Sequence, residues 1–349
     1  MATMSVIFSW SGMSFTLSRR VLEFVKDKID MSDVNSVLGY EMCQLLHNGL
    51  TGNWPDELNF NHELINQNLE MGEFLLTTNW CEWNGFWSIV RGDFHGAQEA
   101  VKILSDISET YENDWATMIK YYVNTFLLMK CRKLHEAREE AEKAIQFMRS
   151  KTSFRMYLIS SYSLKARVQM MFRDLEGAAD SINQAAKITL ELRAVPQQLG
   201  ELFLSRFVLN LQHLEESTKK GDKAASSHHR IDALENGTKA VNMANKYASF
   251  KTEALKLMGV YCWLIGRQGK AKQWWRKAIA DGTRQKDRPE LSRTYYEVGK
   301  RLLEPTSKHT ELDGIKAWDY LEKARTMFEE MDLQWDLDEL EKLKIQMGS

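Results

Sequence analysis

Proline and cysteine are scarce in this sequence of 349 residues, and long hydrophobic runs are absent. Only four prolines occur, so helices can continue without the interruption that a proline ring causes. The four cysteines, Cys43, Cys81, Cys131 and Cys262, are far apart and form no C-x-x-C pair, which argues against a disulfide framework or a clustered zinc site. We interpret them as reduced thiols in helices and expect a cytoplasmic protein.

Neither sign of charge dominates the chain. The formal net charge is -2, whereas nucleic-acid binding needs a dense basic face. No run of about 18 apolar residues exists, so no membrane span is expected. The uncharged stretch Met1 to Thr16 precedes Arg19 and Arg20, which reverses the order of charge in a signal peptide.

Motifs that carry chemistry are also missing. The sequence contains no phosphate-binding G-x-x-x-x-G-K-[ST] or G-x-G-x-x-G run and no H-E-x-x-H. We interpret Cys81 as a buried thiol and the adjacent His228 and His229 as members of a polar loop. Two acidic clusters are mixed with Lys and Arg, which indicates solvated helix faces: Glu139, Glu140 and Glu142, and Asp336, Asp338, Glu339 and Glu341. We therefore expect no cofactor or metal site and no enzymatic activity. An enzyme on a helical scaffold is kept as the third of three functional hypotheses.

The clearest unit of structure is the segment Ala254 to Gly282. Its pattern predicts two helices: the first ends near Ile265, Gly266 breaks it, and the second begins around Gly269. Apolar and small residues share one face of the second helix at helical spacing.

Small residues indicate that these two helices cross closely. Gly259 in the first helix and Ala271 in the second leave room at the crossing, and Trp275 fills the gap beside them. The arrangement resembles a tetratricopeptide repeat. The residues that carry this resemblance are Gly259, Gly266, Ala271, Trp275 and Ala278.

Alanine pairs seven residues apart recur along the chain and mark later second helices. The pairs are Ala137 and Ala144, Ala178 and Ala185, Ala233 and Ala240, Ala271 and Ala278, and Ala317 and Ala324. Their first members are 41, 55, 38 and 46 residues apart, so the period is about 40 rather than the usual 34. A polar loop at Ser217 to His229 explains the longest interval, and a smaller loop is predicted around Pro305 to Thr310.

Glycines mark the early turns. Gly12, Gly52 and Gly92 are 40 residues apart, and the next turns are expected near Arg132 and Arg173, where glycine is absent. A helix-like stretch follows each glycine: Leu17 to Ile29, Glu57 to Leu69, and Ala97 to Ile107.

These patterns predict an all-α fold, a right-handed α-solenoid of antiparallel helix pairs. We expect one domain over residues 1–349, with a partial repeat at 1–30, about six helix pairs at 31–331 and a capping helix at 332–349. Val6 to Trp10 fits the end of a first helix, and Trp335 to Ile345 fits the cap.

Two segments also resemble the C-terminal helical region of large signalling proteins, which join a nucleotide cyclase and a STAND-type ATPase to tetratricopeptide-like repeats. They are Leu257 to Ile279 and Tyr320 to Leu340. The resemblance implies that this chain is a fragment whose catalytic parts lie upstream, although a self-standing repeat protein remains an alternative.

Aromatic residues suggest where such a solenoid would bind a partner. Trp80, Trp83, Phe86 and Trp87 lie within eight residues, and one helix cannot easily bury aromatic side chains on every side. First helices line the concave face of a solenoid. With tetratricopeptide phasing, the lining residues would be Glu82, Phe86, Tyr122, Phe126, Ser163, Arg167, Lys256, Val260 and Trp263.

Three functions fit this reading. The first is a protein-interaction or autoregulatory module that binds a peptide or a neighbouring domain on the concave face. The second is a small-ligand sensor that switches an attached ATPase or cyclase domain, and the third is an enzyme. The alternative that the aromatic clusters simply fill the core between helices stays open.

Overall fold

The computed structural model describes residues 2–56 and 61–347, and these residues form helices almost throughout. The seventeen α-helices are α1 (Ala2–Trp10), α2 (Phe15–Lys26), α3 (Val34–Thr51), α4 (His62–Glu70), α5 (Phe74–Arg91), α6 (Phe94–Thr110), α7 (Asp114–Lys130), α8 (Leu134–Arg149), α9 (Tyr157–Met171), α10 (Leu175–Glu191), α11 (Pro196–Lys220), α12 (Lys223–Ala244), α13 (Lys251–Leu264), α14 (Gln268–Gln285), α15 (Arg288–Leu302), α16 (Ala317–Glu330) and α17 (Gln334–Gln346). In the described residues, the one sheet is a hairpin of β1 (Glu311–Leu312) and β2 (Ile315–Lys316). The predicted all-α solenoid of antiparallel helix pairs is confirmed.

Short turns join the two helices of each pair, and their backbone explains the residues found there. Gly92 and Gly266 have φ values of 73° and 74°, in the left-handed region that glycine adopts at no steric cost. Arg132 and Arg173 take the same conformation, with φ values of 60° and 64°. The turns predicted at all four positions are confirmed.

The alanine pairs lie where two helices of one pair meet. Each of the ten alanines is buried, in α8, α10, α12, α14 and α16. The crossing of α13 and α14 is especially close, because a Cβ atom added to Gly259 would lie 2.8 Å from Cε2 of Trp275. The predicted Gly259–Trp275 contact is confirmed.

The polar loop predicted at Ser217 to His229 is wrong. Helix α11 continues to Lys220, and α12 begins at Lys223 after a turn of two residues. Gly221 ends α11 with a φ of 71°, and the side chain of Asp222 accepts a hydrogen bond from the Ala225 amide. The additional residues lengthen the two helices to 25 and 22 residues, so His228 and His229 lie in α12.

Other predicted segments agree with the helices to within a few residues. Leu17 to Ile29 corresponds to α2, Ala97 to Ile107 lies in α6, and Trp335 to Ile345 lies in α17. Of Glu57 to Leu69, residues 57–60 fall outside the described part of the chain, and the remainder matches α4. The loop at Pro305 to Thr310 is confirmed and leads into the hairpin.

First helices of successive pairs pack on one another, from α5 through α7, α9, α11 and α13 to α15. They therefore form the inner layer of the solenoid, and the second helices form the outer layer. Within the described residues, no helix has the length and apolar character that a bilayer crossing requires.

The solenoid also closes on itself, and the early glycines lie at the points of contact. A Cβ added to Gly12 would lie 2.9 Å from Pro196, and one added to Gly52 would lie 2.5 Å from Oε1 of Gln285. Gly92 is in similar contact with Met331, whose Cγ would be 2.9 Å away. The N-terminal half of the chain therefore packs directly against the C-terminal half.

Candidate functional site

The nine residues predicted to line the concave face all come from first helices. They lie in α5, α7, α9 and α13, and each is less than a tenth exposed. Neighbouring helices cover them in the closed solenoid, some by local packing, as Trp275 does with Trp263. Their role in partner binding therefore stays a prediction that applies to a more open form.

Helix α5 contradicts the expectation that one helix cannot bury aromatic side chains on every side. Every residue from Trp80 to Val90 is buried. Neighbouring first helices α3 and α7 flank α5, α6 covers its outer side, and α15 approaches it from the far half of the chain. Enclosure on all sides explains how Trp83 and Phe86 are both buried although they point in different directions.

Three of the predicted residues form an aromatic cluster between α5 and α7. The ring centroid of Phe86 lies 5.4 Å from those of Tyr122 and Phe126, with edge-to-face geometry in both pairs. The Tyr122 hydroxyl donates a hydrogen bond to the Glu201 carboxylate. Gln197 Nε2 donates to the same hydroxyl at 2.8 Å, so this cluster is fixed against the start of α11.

Charged residues form a second cluster across the closed solenoid. Lys130 Nζ on α7 lies 2.6 Å from Glu290 on α15 and 3.4 Å from Glu253 on α13. Two predicted residues complete these pairs, because Arg167 contacts Glu253 and Lys256 Nζ lies 2.7 Å from Glu290. We name these five side chains the cross-turn ion-pair cluster.

Arg293 extends this cluster to the last helix. Its guanidinium donates to the Asp336 carboxylate at 2.8 and 3.0 Å and to the backbone carbonyl of Lys130 at 2.7 Å. The interpretation of Asp336 as part of a solvated face is therefore wrong, since this side chain is buried. Burial alone would raise the pKa of Asp336, but the charge and hydrogen bonds of Arg293 together with the charge of Arg132 lower it.

The remaining predicted residues lie apart from both clusters. Ser163 Oγ donates to a carbonyl of its own helix, that of Ile159, at 2.7 Å. Trp263 Nε1 donates to Glu304 Oε2 at 2.7 Å, in the loop after α15. The concave face is thus divided into separate regions rather than forming one continuous groove.

A cavity of about 260 Å³ opens beside the aromatic cluster. Half-buried Trp10 and Trp115 line it together with the buried side chains of Glu82, Trp83 and Tyr157. Trp115 and Tyr157 stand perpendicular to each other with ring centroids 5.6 Å apart. Among the described residues, no hydrogen-bond donor or basic side chain is paired with Glu82.

Burial dominates the electrostatics of this cavity. It raises the pKa of Glu82 to about 8, with a further contribution from the charge of Glu201. It also raises the pKa of Glu201 to about 7. The cavity is therefore lined by one carboxyl group, that of Glu82, which has no basic partner among the described residues, whereas Glu201 accepts a hydrogen bond from Tyr122 and is partly compensated by the charge of Arg167.

Reactive groups of other kinds are not assembled in the described part of the chain. No group of three or more His, Cys, Asp or Glu side chains there could hold a metal ion. Burial raises the pKa of the Cys81 thiol, which keeps it protonated and a poor nucleophile.

Several residues of these clusters and of the cavity could not be predicted from the sequence. Lys130, Glu253 and Glu290 carried no signal, since isolated charged residues in helices are usually solvated. Glu201 and Tyr157 were missed as well, because their neighbours in space are distant in sequence. Helical phase alone identified the residues of α5, α7, α9 and α13 that point inward.

Comparisons with known proteins give only a distant likeness. No protein-family model matches the chain, and no curated protein matches its sequence. The crystal structure of aspartyl phosphate phosphatase F from Bacillus subtilis is similar over 98% of this chain and 92% of that one, with 12% sequence identity and a TM-score of 0.48. A likeness of this degree carries no argument about function, and the resemblance to cyclase and STAND-type signalling proteins stays a prediction.

Proposed function

We propose that the chain is a protein-interaction module that binds a peptide or a neighbouring domain on its concave face, and that the closed solenoid is its partner-free state. In the closed state, residues of the concave face bind one another, as in the cross-turn ion-pair cluster. A partner would take the place of the contacts between the two halves of the chain. Such a partner must bind the open form more tightly than the closed form for the equilibrium to shift.

The cross-turn ion-pair cluster is the observation that carries this proposal. Buried ion pairs contribute little net stability compared with apolar side chains of the same volume, because desolvation offsets their attraction. When the halves separate, Lys130, Arg167 and Lys256 would be hydrated again and would regain that desolvation energy. A contact formed by ion pairs is therefore easier to open than an apolar contact. Once it is open, its charged side chains could pair with charges of a partner.

More specifically, we propose that the neighbouring domain belongs to a larger signalling protein that includes this chain. The resemblance at Leu257 to Ile279 and Tyr320 to Leu340 supports it. The four cysteines are all free thiols, which agrees with a reducing compartment such as the cytoplasm.

Selection of binding peptides from a random display library would test the proposal. The dissociation constants of selected peptides are then measured with wild type and with the single variants Arg167→Ala and Lys256→Ala. We expect affinity to fall at least about tenfold in both, which corresponds to roughly 1.4 kcal/mol. Thermal unfolding of each variant confirms that it remains folded.

The matched controls are Lys102→Ala and Lys143→Ala, which remove exposed lysines from the outer helices α6 and α8. Affinity should change less than about twofold in these controls. The proposal is wrong if the outer variants weaken binding as much as the inner ones, or if the inner variants bind unchanged. Phe86→Ala is unsuitable as a probe, because emptying this buried site would cost about 3–5 kcal/mol of stability.

The cavity beside Glu82 favours a second candidate, the small-ligand sensor. It is enclosed by residues from α1, α3, α5, α7, α9 and α11, so it spans the contact between the N-terminal helices and the rest of the solenoid. A ligand held there would bind the closed and open forms unequally. Small-angle X-ray scattering with and without a bound ligand would detect the change in curvature, and an unchanged profile would count against the sensor.

A further inference from the structure

The cavity beside Glu82 differs from the wider groove described next, because a buried carboxyl group without a hydrogen-bonding or basic partner lines it. A wider groove of about 590 Å³ lies between α12 and α14, but its basic residues Arg230, Arg267 and Lys270 are exposed to water. Glu82 is only 5% exposed. The chemistry around this carboxylate therefore specifies what the cavity can hold.

The indole N–H groups of Trp10 and Trp115, which both line the cavity, have other hydrogen-bond partners. Trp115 Nε1 donates to Asn79 Oδ1 at 2.9 Å, and Trp10 Nε1 donates to Gln197 Oε1 at 3.3 Å. Neither indole N–H group is therefore directed at Glu82. The cavity is also lined by Asn79, Trp83, Tyr157 and Gln197, but in the described residues none of these side chains donates a hydrogen bond to Glu82.

A buried carboxylate without a partner is costly unless it takes up a proton or meets a cation. Lys130, Arg167 and Lys256 are engaged with Glu253 and Glu290, so the chain supplies no spare cation from its own cluster. An anionic ligand would be repelled by both Glu82 and Glu201. A neutral ligand would leave Glu82 in its protonated form, since burial raises its pKa to about 8, whereas a cation would pair with the ionised form.

Aromatic walls favour the same kind of ligand. An ammonium group within about 6 Å of a tryptophan or tyrosine ring is attracted by the ring quadrupole, and the attraction grows when water is excluded. Trp83, Trp115 and Tyr157 supply such rings around the cavity. The volume of about 260 Å³ lies just below the roughly 300–1,000 Å³ of pockets for drug-sized ligands, which limits the occupant to a small molecule or one side chain.

We propose that this cavity binds a small organic ammonium ion, with Glu82 as its counter-ion and the rings of Trp83, Trp115 and Tyr157 around it. The ammonium group could belong to a free amine or to a lysine side chain of another protein. This assignment deepens the sensor candidate, but binding itself does not depend on any change of curvature.

Isothermal titration calorimetry of the full chain tests the assignment with choline and with 3,3-dimethylbutan-1-ol, its uncharged isostere. We expect choline to bind at least tenfold more tightly than the alcohol. Nα-acetyl-lysinamide forms a second arm: tighter binding than choline points to a lysine side chain, and weaker binding points to a free amine. Equal affinity for choline and the alcohol, or no binding of either cation, would overturn the proposal.

Variants then locate the site. Glu82→Gln keeps the shape of the side chain and should lower the affinity for choline at least tenfold, whereas Glu136→Gln, on the exposed face of α8, should leave it unchanged. If Glu82→Gln does not fold, Trp115→Leu serves instead, because it removes one of the rings that line the cavity. It should lower the affinity for choline as well. Unchanged affinity in a folded Glu82→Gln variant would refute the site.

Scattering separates this inference from the proposed functions. Choline binding with an unchanged scattering profile would leave the ammonium site in place and refute the sensor alone. Absence of cation binding would refute the site, and the concave-face proposal would still depend on its own peptide measurement.

Discussion

Gly259 illustrates how the absence of a side chain sets the distance between two helices. It lies in the middle of α13, where the indole of Trp275 from α14 occupies the space of a Cβ atom. Because the backbone there is ordinary helix, a substitution tests packing and not strain. The local spacing of Gly259, Ala271 and Trp275 made this contact predictable from the sequence.

Gly259→Ala should destabilise the protein by about 1–3 kcal/mol, since a methyl group would overpack the crossing. Gly269→Ala is the matched control, because Gly269 is exposed in α14 and a Cβ there would meet nothing within 4 Å. The control should be neutral or stabilising by up to about 1 kcal/mol. Urea denaturation of the two variants measures the difference, and equal effects would show that α13 and α14 do not cross as closely as described.

Glu82 and Glu201 predict how stability depends on pH. Burial raises their pKa values to about 8 and about 7, above an ordinary value of 4.5. Between about pH 4.5 and pH 8 the folded chain therefore binds more protons than the unfolded chain, so the free energy of unfolding falls as pH rises. Glu253 titrates below this range, because the charges of Arg167, Lys130 and Lys256 together outweigh burial and lower its pKa to about 2.

Glu82→Gln should lessen this fall by up to about 1.4 kcal/mol per pH unit within the window. Urea denaturation of wild type and variant at about pH 5.5 and about pH 8.5 measures it. The exposed Glu136→Gln substitution serves as the control and should keep the slope of wild type. An equal pH dependence in wild type and the Glu82→Gln variant would contradict the assignment of Glu82 as a buried, unpaired carboxyl.

At the scale of helices, the helix pairs could be predicted well from the sequence, but the lengths of the individual helices could not. Turns depend on a few local residues, such as Gly92 and Gly266, and could therefore be located. The ends of α11 and α12 are polar because they are exposed, and the same composition is typical of a loop. Only Gly221 followed by Asp222, a C-cap and an N-cap, distinguishes two long helices from a loop there.

Lys130 connects three helices, and its removal should be costly. Lys130→Met would leave Glu253 and Glu290 buried with fewer positive partners, which we expect to lower the free energy of unfolding by about 3–5 kcal/mol. Lys143→Met is the control, because this lysine pairs with Glu140 at 3.8 Å and its side chain is 60% exposed. Its effect should stay within about 0.5 kcal/mol.

Chemical denaturation of both lysine variants gives the comparison. A Lys130→Met variant as stable as Lys143→Met would mean that the cross-turn ion-pair cluster is hydrated in solution and that α7 is separated from α13 and α15. A larger loss for Lys130→Met would support the packing of these helices against one another.

At the scale of the whole molecule, closure could not be predicted from the sequence. It joins residues about 180 to 240 positions apart, such as Gly12 with Pro196 and Gly92 with Met331. Local periodicity contains no information about such contacts. The 40-residue spacing of glycines was therefore interpreted as a turn signal alone, although the same glycines also admit the other half of the chain. For the same reason, the burial of the residues predicted to line the concave face could not be foreseen.

Substitution of Gly52 distinguishes the contact between the two halves of the chain from the local backbone strain of a turn. Gly52→Ala and Gly266→Ala each place alanine at a φ above 70°, which costs about 1–2 kcal/mol in either case. A Cβ at Gly266 meets nothing within 4 Å, whereas one at Gly52 would meet the buried side chain of Gln285. Gly52→Ala should therefore be more destabilising by at least about 1 kcal/mol, and equal losses in urea denaturation would indicate that the contact is absent.

Zero-length carbodiimide cross-linking of the unmodified protein tests closure most directly. Lys286 Nζ and the Asp56 carboxylate are 2.5 Å apart, both exposed and 230 positions apart in sequence. Lys151 and Asp114, at 2.6 Å and 37 positions apart, form an internal control that needs only local helix packing. We predict that mass spectrometry of the monomer finds both cross-links in similar yield. A protein that forms the Lys151–Asp114 cross-link without the Lys286–Asp56 cross-link would contradict the closed solenoid.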